Sequence, residues 1–124
     1  MSWRDELVEL LGRLGFEATA HELWIDRSSE TGVAIHPSGA FVGWLDTAWP
    51  GPGSPALVLE QATHLPTSEC GGLDSALRSA LAAAGNARRA ALRSCRYCGL
   101  ELTPGHMHDD VCHGCAEKHL GVVH

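Results

Sequence analysis

Val33-Ala34-Ile35-His36-Pro37-Ser38-Gly39-Ala40-Phe41-Val42-Gly43-Trp44-Leu45 is the stretch whose reading decides the fold class. Two runs rich in β-branched, aromatic and small apolar residues flank Pro37-Ser38-Gly39. Proline pre-sets one turn dihedral and glycine admits the other, so the stretch reads as a hairpin over 33–36 and 40–45. A hairpin implies antiparallel pairing, and an antiparallel sheet can offer one face to helices and the other to water.

Working outward, residues 16–20 and 23–26 read as two short strands before the hairpin, with a turn-rich break over 27–32 (Arg-Ser-Ser-Glu-Thr-Gly). Residues 2–14 predict an amphipathic helix: Leu7, Leu10, Leu11 and Leu14 recur at i, i+3, i+4 and i+7. Ser2 is placed to cap it, Asp5 and Glu6 suit the positive end of its dipole, and Gly15 supplies a stop. Downstream, Pro50-Gly51-Pro52-Gly53-Ser54-Pro55 reads as a surface loop, because its prolines and glycines oppose regular structure. Residues 56–62 lean towards a last strand. A second helix is expected from Leu73, with Leu73, Leu77, Ala80, Leu81 and Ala84 on one face. Gly85-Asn86 is a natural cap or kink, and a further helical segment is expected over 87–94. The order α-β-β-β-β-α predicts an α+β fold, a small antiparallel sheet with flanking helices. It resembles double-stranded RNA-binding domains in topology, and topology alone does not carry function. The expected second helix also lacks their basic start, since 73–84 contains Arg78 as its single cation.

The chain has 124 residues, 44% apolar and 19% charged, which is ordinary globular composition and long enough for one modest core. Its net charge of −6 is uneven. Residues 1–85 hold four basic and eleven acidic side chains, whereas residues 86–124 hold five basic and four acidic ones. An acidic body opposes broad coating of nucleic acid, although a local basic contact stays open. No apolar run is long enough for a transmembrane helix, and the acidic start (Arg4-Asp5-Glu6) does not read as a signal peptide. A cytoplasmic location is the expectation. In that reducing compartment, paired cysteines are metal ligands more often than disulfides.

Such pairs occur at Cys95-Arg96-Tyr97-Cys98-Gly99 and Cys112-His113-Gly114-Cys115, with thirteen residues between them. A C-x2-C turn delivers two thiolates from one bend, and zinc takes four such ligands in a tetrahedron. Gly99 lets the backbone curl so that amides face the sulfurs. Leu100 to Gly105 looks like one strand and a turn, enough for a hairpin that brings the second pair onto the first. Residues 95–119 resemble a zinc-ribbon or treble-clef zinc finger. A helical turn after Cys115 (116–120) favours treble clef, and a strand there favours ribbon. Cys95, Cys98, Cys112 and Cys115 are therefore expected to hold one structural Zn2+ per chain, a closed site with no open position for water. The same thiolates can hold iron; the hairpin spacing points to zinc. The expected domains are an acidic α+β domain at 1–85, a basic helical linker at 86–94 and the four-cysteine zinc-binding module at 95–124.

Other chemistry-bearing residues have plainer readings. The cluster from His106 to Asp110 invites comparison with metal-dependent nucleases, but thirteen residues cannot hold their further helix, and a polar hairpin tip is favoured. Cys70 precedes a helix, where a thiol pKa can fall, yet no base-containing motif frames it. Arg88, Arg89, Arg93 and Arg96 form a candidate phosphate-binding stripe on the helical segment entering the module. Trp24 and Trp44 are expected in the core and Trp49 as an exposed contact. Taken together, the sequence predicts a non-enzymatic zinc protein whose finger recognises a macromolecule, preferentially another protein. Nucleic-acid binding through the finger and the arginines is the alternative, and a metal-dependent nuclease the third reading.

Overall fold

The computed structural model describes residues 2–51, 54–67 and 72–121. Helix α1 (Trp3–Arg13) begins where Ser2 Oγ accepts the Asp5 backbone N–H at 3.1 Å, satisfying one of the amides a helix start leaves open. It ends at Leu14, and Gly15 takes a left-handed φ of +87° to turn the chain away. Five strands follow in sheet order β1 (Glu17–Ala18), β2 (Leu23–Ile25), β3 (Thr31–His36), β4 (Gly39–Gly51) and β5 (Ser54–Pro66). The hairpin register pairs Val33 with Val42 and Thr31 with Trp44. Helix α2 spans Leu73–Ala91. The expected α+β architecture is thus what the chain adopts.

Five expectations are corrected. Strand β1 covers only two of the residues 16–20, because a 3-10 turn at Ala20–Glu22 follows it. Thr31 and Gly32 belong to β3 rather than to the break. The expected loop 50–55 is strand on both sides of residues 52 and 53, which lie outside the described residues. Beyond Trp44 strand β4 has lost β3 as a partner, and β5 is the sheet's edge, so proline's missing N–H at Pro50 and Pro55 is tolerated there. Finally, α2 runs through Gly85 and Asn86 without a break. Alanine at 82–84, 87 and 90–91 supplies helix propensity that outweighs one glycine's cost of about 1 kcal/mol. Arg93 and Ser94 then form strand β6 instead of continuing a helix.

Two compact units divide the chain, Met1–Leu45 with Leu59–Ala87, and Asp46–Val58 with Arg88–His124. In the first, Leu7, Leu10 and Leu11 of α1 and Leu73, Leu77 and Ala80 of α2 meet Val33, Ala40 and Val42 in one cluster. Both helices therefore cover the same sheet face. Leu7, Leu11 and Leu77 are fully buried, worth about 1.5–3 kcal/mol each in apolar transfer. Trp44 is buried as expected, its indole N–H donating to Gln61 Oε1 at 2.9 Å, and Trp24 packs half-buried beside this cluster. The second unit has a far smaller core: Cys95, Met107, Val111, Cys112 and Ala116. No helix among the described residues is long and apolar enough to cross a membrane.

Candidate metal centre

The second unit is built from short pairings that each place one end of a cysteine pair. Strand β6 (Arg93–Ser94) pairs with β7 (Glu101–Leu102), and the chain between them curls through the first C-x2-C. The Cys95 N–H donates to Leu100 O at 2.9 Å and the Gly99 N–H to Cys95 O at 2.8 Å. Gly99 reaches this bend with φ +74°, the conformation its lack of a Cβ makes cheap. A 3-10 turn at Pro104–His106 leads to the hairpin of β8 (Met107–His108) and β9 (Val111–Cys112), with Met107 opposite Cys112. Asp109 turns that hairpin at φ +55°, a region Asp tolerates better than most side chains. Cys112 closes β9 and starts helix α3 (His113–Cys115), which continues as a π-helical turn at Ala116–Leu120. Cys115 lies on the first turn of that helix. The two pairs are tied together by the Arg96 N–H, which donates to Asp110 O at 2.9 Å.

The outcome is convergence. The sulfurs of Cys95, Cys98, Cys112 and Cys115 all lie within 4.8 Å of one another, and the four could hold a metal ion. Cys98 and Cys112 Sγ are 3.8 Å apart, and all four cysteines are free thiols. Burial and mutual hydrogen bonding move two of these thiols in opposite directions. The Cys98 backbone amide, helped by those of Cys112 and Tyr97, lowers the Cys95 thiol to about 6 against the opposing effect of burial. Cys115 is pushed up to about 12, first by its hydrogen bond with the Cys112 sulfur, then by burial and by Cys95 and Cys98. Adjacent thiolates repel each other, so a cation among them is what allows all four to ionise.

The remaining candidate residues are scattered around this centre. His106 Nε2 lies 3.3 Å from Thr47 Oγ1, and its ring centroid is 6.4 Å from that of His113. His108 sits on β8, and the Asp110 carboxylate lies 3.8 Å from the Arg96 guanidinium. Among the described residues, no metal-sized cluster of three or more His, Cys, Asp or Glu other than the four cysteines is formed. The stretch 106–110 is thus a hairpin with its lead-in turn. Arg88 and Arg89 lie in the last turn of α2, whereas Arg93 is on β6 and Arg96 in the knuckle, so the expected single helical stripe is not formed. Arg96 instead lies 5.1 Å over the Tyr97 ring, whose stacking with His119 has a centroid spacing of 4.5 Å. Cys70 lies outside the described residues.

One set of residues around the centre was not legible in the sequence. Asp46, on β4 and only 7% exposed, accepts three hydrogen bonds: Thr103 Oγ1–H at 2.7 Å, the Thr47 N–H at 2.8 Å and the Gly105 N–H at 2.9 Å. Trp49 donates its indole N–H to Gly105 O at 2.7 Å and meets the His113 ring edge-on at 5.4 Å. These bonds fasten the outer part of the β4–β5 hairpin to the loop between the cysteine pairs. An aspartate amid strand residues (Trp44-Leu45-Asp46-Thr47) was the available signal, because strands disfavour it unless its oxygens are bonded.

Comparison of the chain with known protein families, with curated proteins and with solved structures found no match.

Proposed function

We propose that the four cysteines hold a structural zinc ion and that the unit around them is a recognition module for another protein. Tetrahedral Zn–S bonds of about 2.3 Å imply sulfurs about 3.8 Å apart, and the Cys98–Cys112 spacing is 3.8 Å. The helix that begins at the second pair supports the treble-clef form of the finger over the ribbon. A closed site of four thiolates has no position for substrate, so the metal's work is to fold a unit with little core of its own.

The observation that carries the recognition role is the placement of exposed apolar side chains. Among the described residues, the large exposed hydrophobics are Trp49, Leu57, Tyr97 and Leu100, at 37%, 52%, 46% and 55%. All four belong to the cysteine-bearing unit. Aromatic and aliphatic anchors exposed on a rigid support are the usual makings of a protein-binding hot spot. Elemental analysis should give about one zinc per chain. A partner co-purifying from cells should be lost from Leu57→Ser/Leu100→Ser protein whose zinc content is unchanged. Retention of that partner by the variant refutes the reading.

Nucleic-acid binding is the second reading, favoured by the exposed Arg96–Tyr97–His119 stack with Arg89 and Arg93 also exposed. A DNA or RNA shift at low salt that disappears in Arg89/Arg93/Arg96→Ala protein would establish it.

A further inference from the structure

Away from the cysteines, two histidines and a serine converge among the described residues. His36 ends β3, Ser38 lies in the β3–β4 turn and His64 lies on β5. Ser38 Oγ is 3.0 Å from His36 Nδ1 and 3.3 Å from His64 Nε2. The Ser38 backbone N–H also donates to His36 Nδ1 at 3.2 Å, so that nitrogen carries a lone pair and not a proton. With no proton on His36 Nδ1, the serine hydroxyl donates to that nitrogen, and His64 Nε2–H in turn donates to Ser38 Oγ; moving that proton to the other nitrogen of the His64 ring turns a lone pair towards the same point.

The surroundings hold this arrangement in place. Phe41 contacts both imidazoles, with ring centroids 6.1 Å from His36 and 4.8 Å from His64. Gly39 has φ +146°, and a Cβ there would collide with Leu65 O and stand 3.0 Å from His64 Nε2. Glycine is what lets β5 bring His64 to the turn. All three polar side chains are exposed, so a cation reaches them without entering a core.

We propose that His36 Nδ1 and His64 Nε2, with Ser38 Oγ as a weaker third donor, form a surface site for a late divalent transition-metal ion. Imidazole suits nickel, copper and zinc, and one hydroxyl plus water completes a mixed N,O set. Activation of Ser38 as a nucleophile is the competing use of such a group. That use calls for a third residue to orient the base, and among the described residues no carboxylate hydrogen-bonds either imidazole. An ion at this site clips the turn to β5 and binds the folded chain only, so it raises the melting temperature.

The test uses untagged, zinc-loaded full-length chain titrated with Ni2+ by calorimetry, with zinc retention followed by elemental analysis. The expected result is one Ni2+ beyond the zinc and a raised melting temperature. His36→Gln and His64→Gln should each weaken uptake at least about tenfold and abolish the thermal shift, with Ser38→Ala milder. His106→Gln/His108→Gln should leave uptake unchanged. The proposal is overturned if both single histidine variants bind Ni2+ as the parent does, if zinc leaves in step with nickel uptake, or if no Ni2+ binds below millimolar concentration. Circular dichroism of each variant verifies its fold.

Discussion

Asp46 is buried, and three donors stabilise its carboxylate. Replacing it by alanine leaves the Thr103 hydroxyl and the Gly105 N–H without their acceptor. Each group so stranded costs about 1–3 kcal/mol, so Asp46→Ala should lower unfolding free energy by about 3 kcal/mol in urea titration. Gly105 is its steric counterpart. A Cβ there would collide with the Thr47 carbonyl and the Asp46 carboxylate. Gly105→Ala should therefore destabilise by about 1–3 kcal/mol and shift Trp49 emission to the red as its indole leaves Gly105 O. At this scale the clustering of the four cysteines and the bend at Gly99 could be read from spacing, because both obey local rules. Gly105 could not. Its requirement is set by atoms of β4 that are remote along the chain.

Elements were legible where their own periodicity decided them. The leucine spacing of α1 and the run flanking Pro37-Ser38-Gly39 each formed as expected, since burial of one face and a local turn were sufficient. Boundaries governed by neighbours were not. Whether Pro50 and Pro55 interrupt a strand depends on whether a partner needs their N–H, and whether Gly85 ends α2 depends on what its positive-φ alternative would gain. Gly12 offers a clean measure of local propensity: it lies inside α1, exposed, and a Cβ added there would meet nothing within 4 Å. Gly12→Ala should stabilise the chain by about 0.5–1 kcal/mol, read as a higher melting temperature. An unchanged or lower value would mean that the last turn of α1 is frayed.

For the molecule as a whole, the acidic bias and α+β class followed from composition and element order, while the grouping of residues 46–58 with 88–124 is a long-range fact that no local pattern carries. The two cores differ in size, and among the described residues the smaller one contains Cys95 and Cys112, with Cys115 packed against it. Chelation of the proposed zinc should therefore unfold the second unit selectively. Hydrogen exchange is expected to accelerate at Cys95, Gly99 and Gly105 amides while those of α1 and β3 stay protected. Tryptophan emission should shift at the same chelator concentration in the parent and not in Trp49→Phe protein. Simultaneous loss of protection in both units would show that one cooperative transition spans the chain.

The bonds from Asp46 and Trp49 to the loop between the cysteine pairs bear on portability. A fragment beginning at residue 88 contains Cys95, Cys98, Cys112 and Cys115 yet lacks the acceptor for Thr103 and Gly105, as well as the indole beside His113. Fused to an unrelated carrier, that fragment would keep the four cysteines and still leave these groups to water. The transplantable cassette is discontinuous, and a graft that works has to carry the outer part of β4 from the middle of the sequence along with its last third.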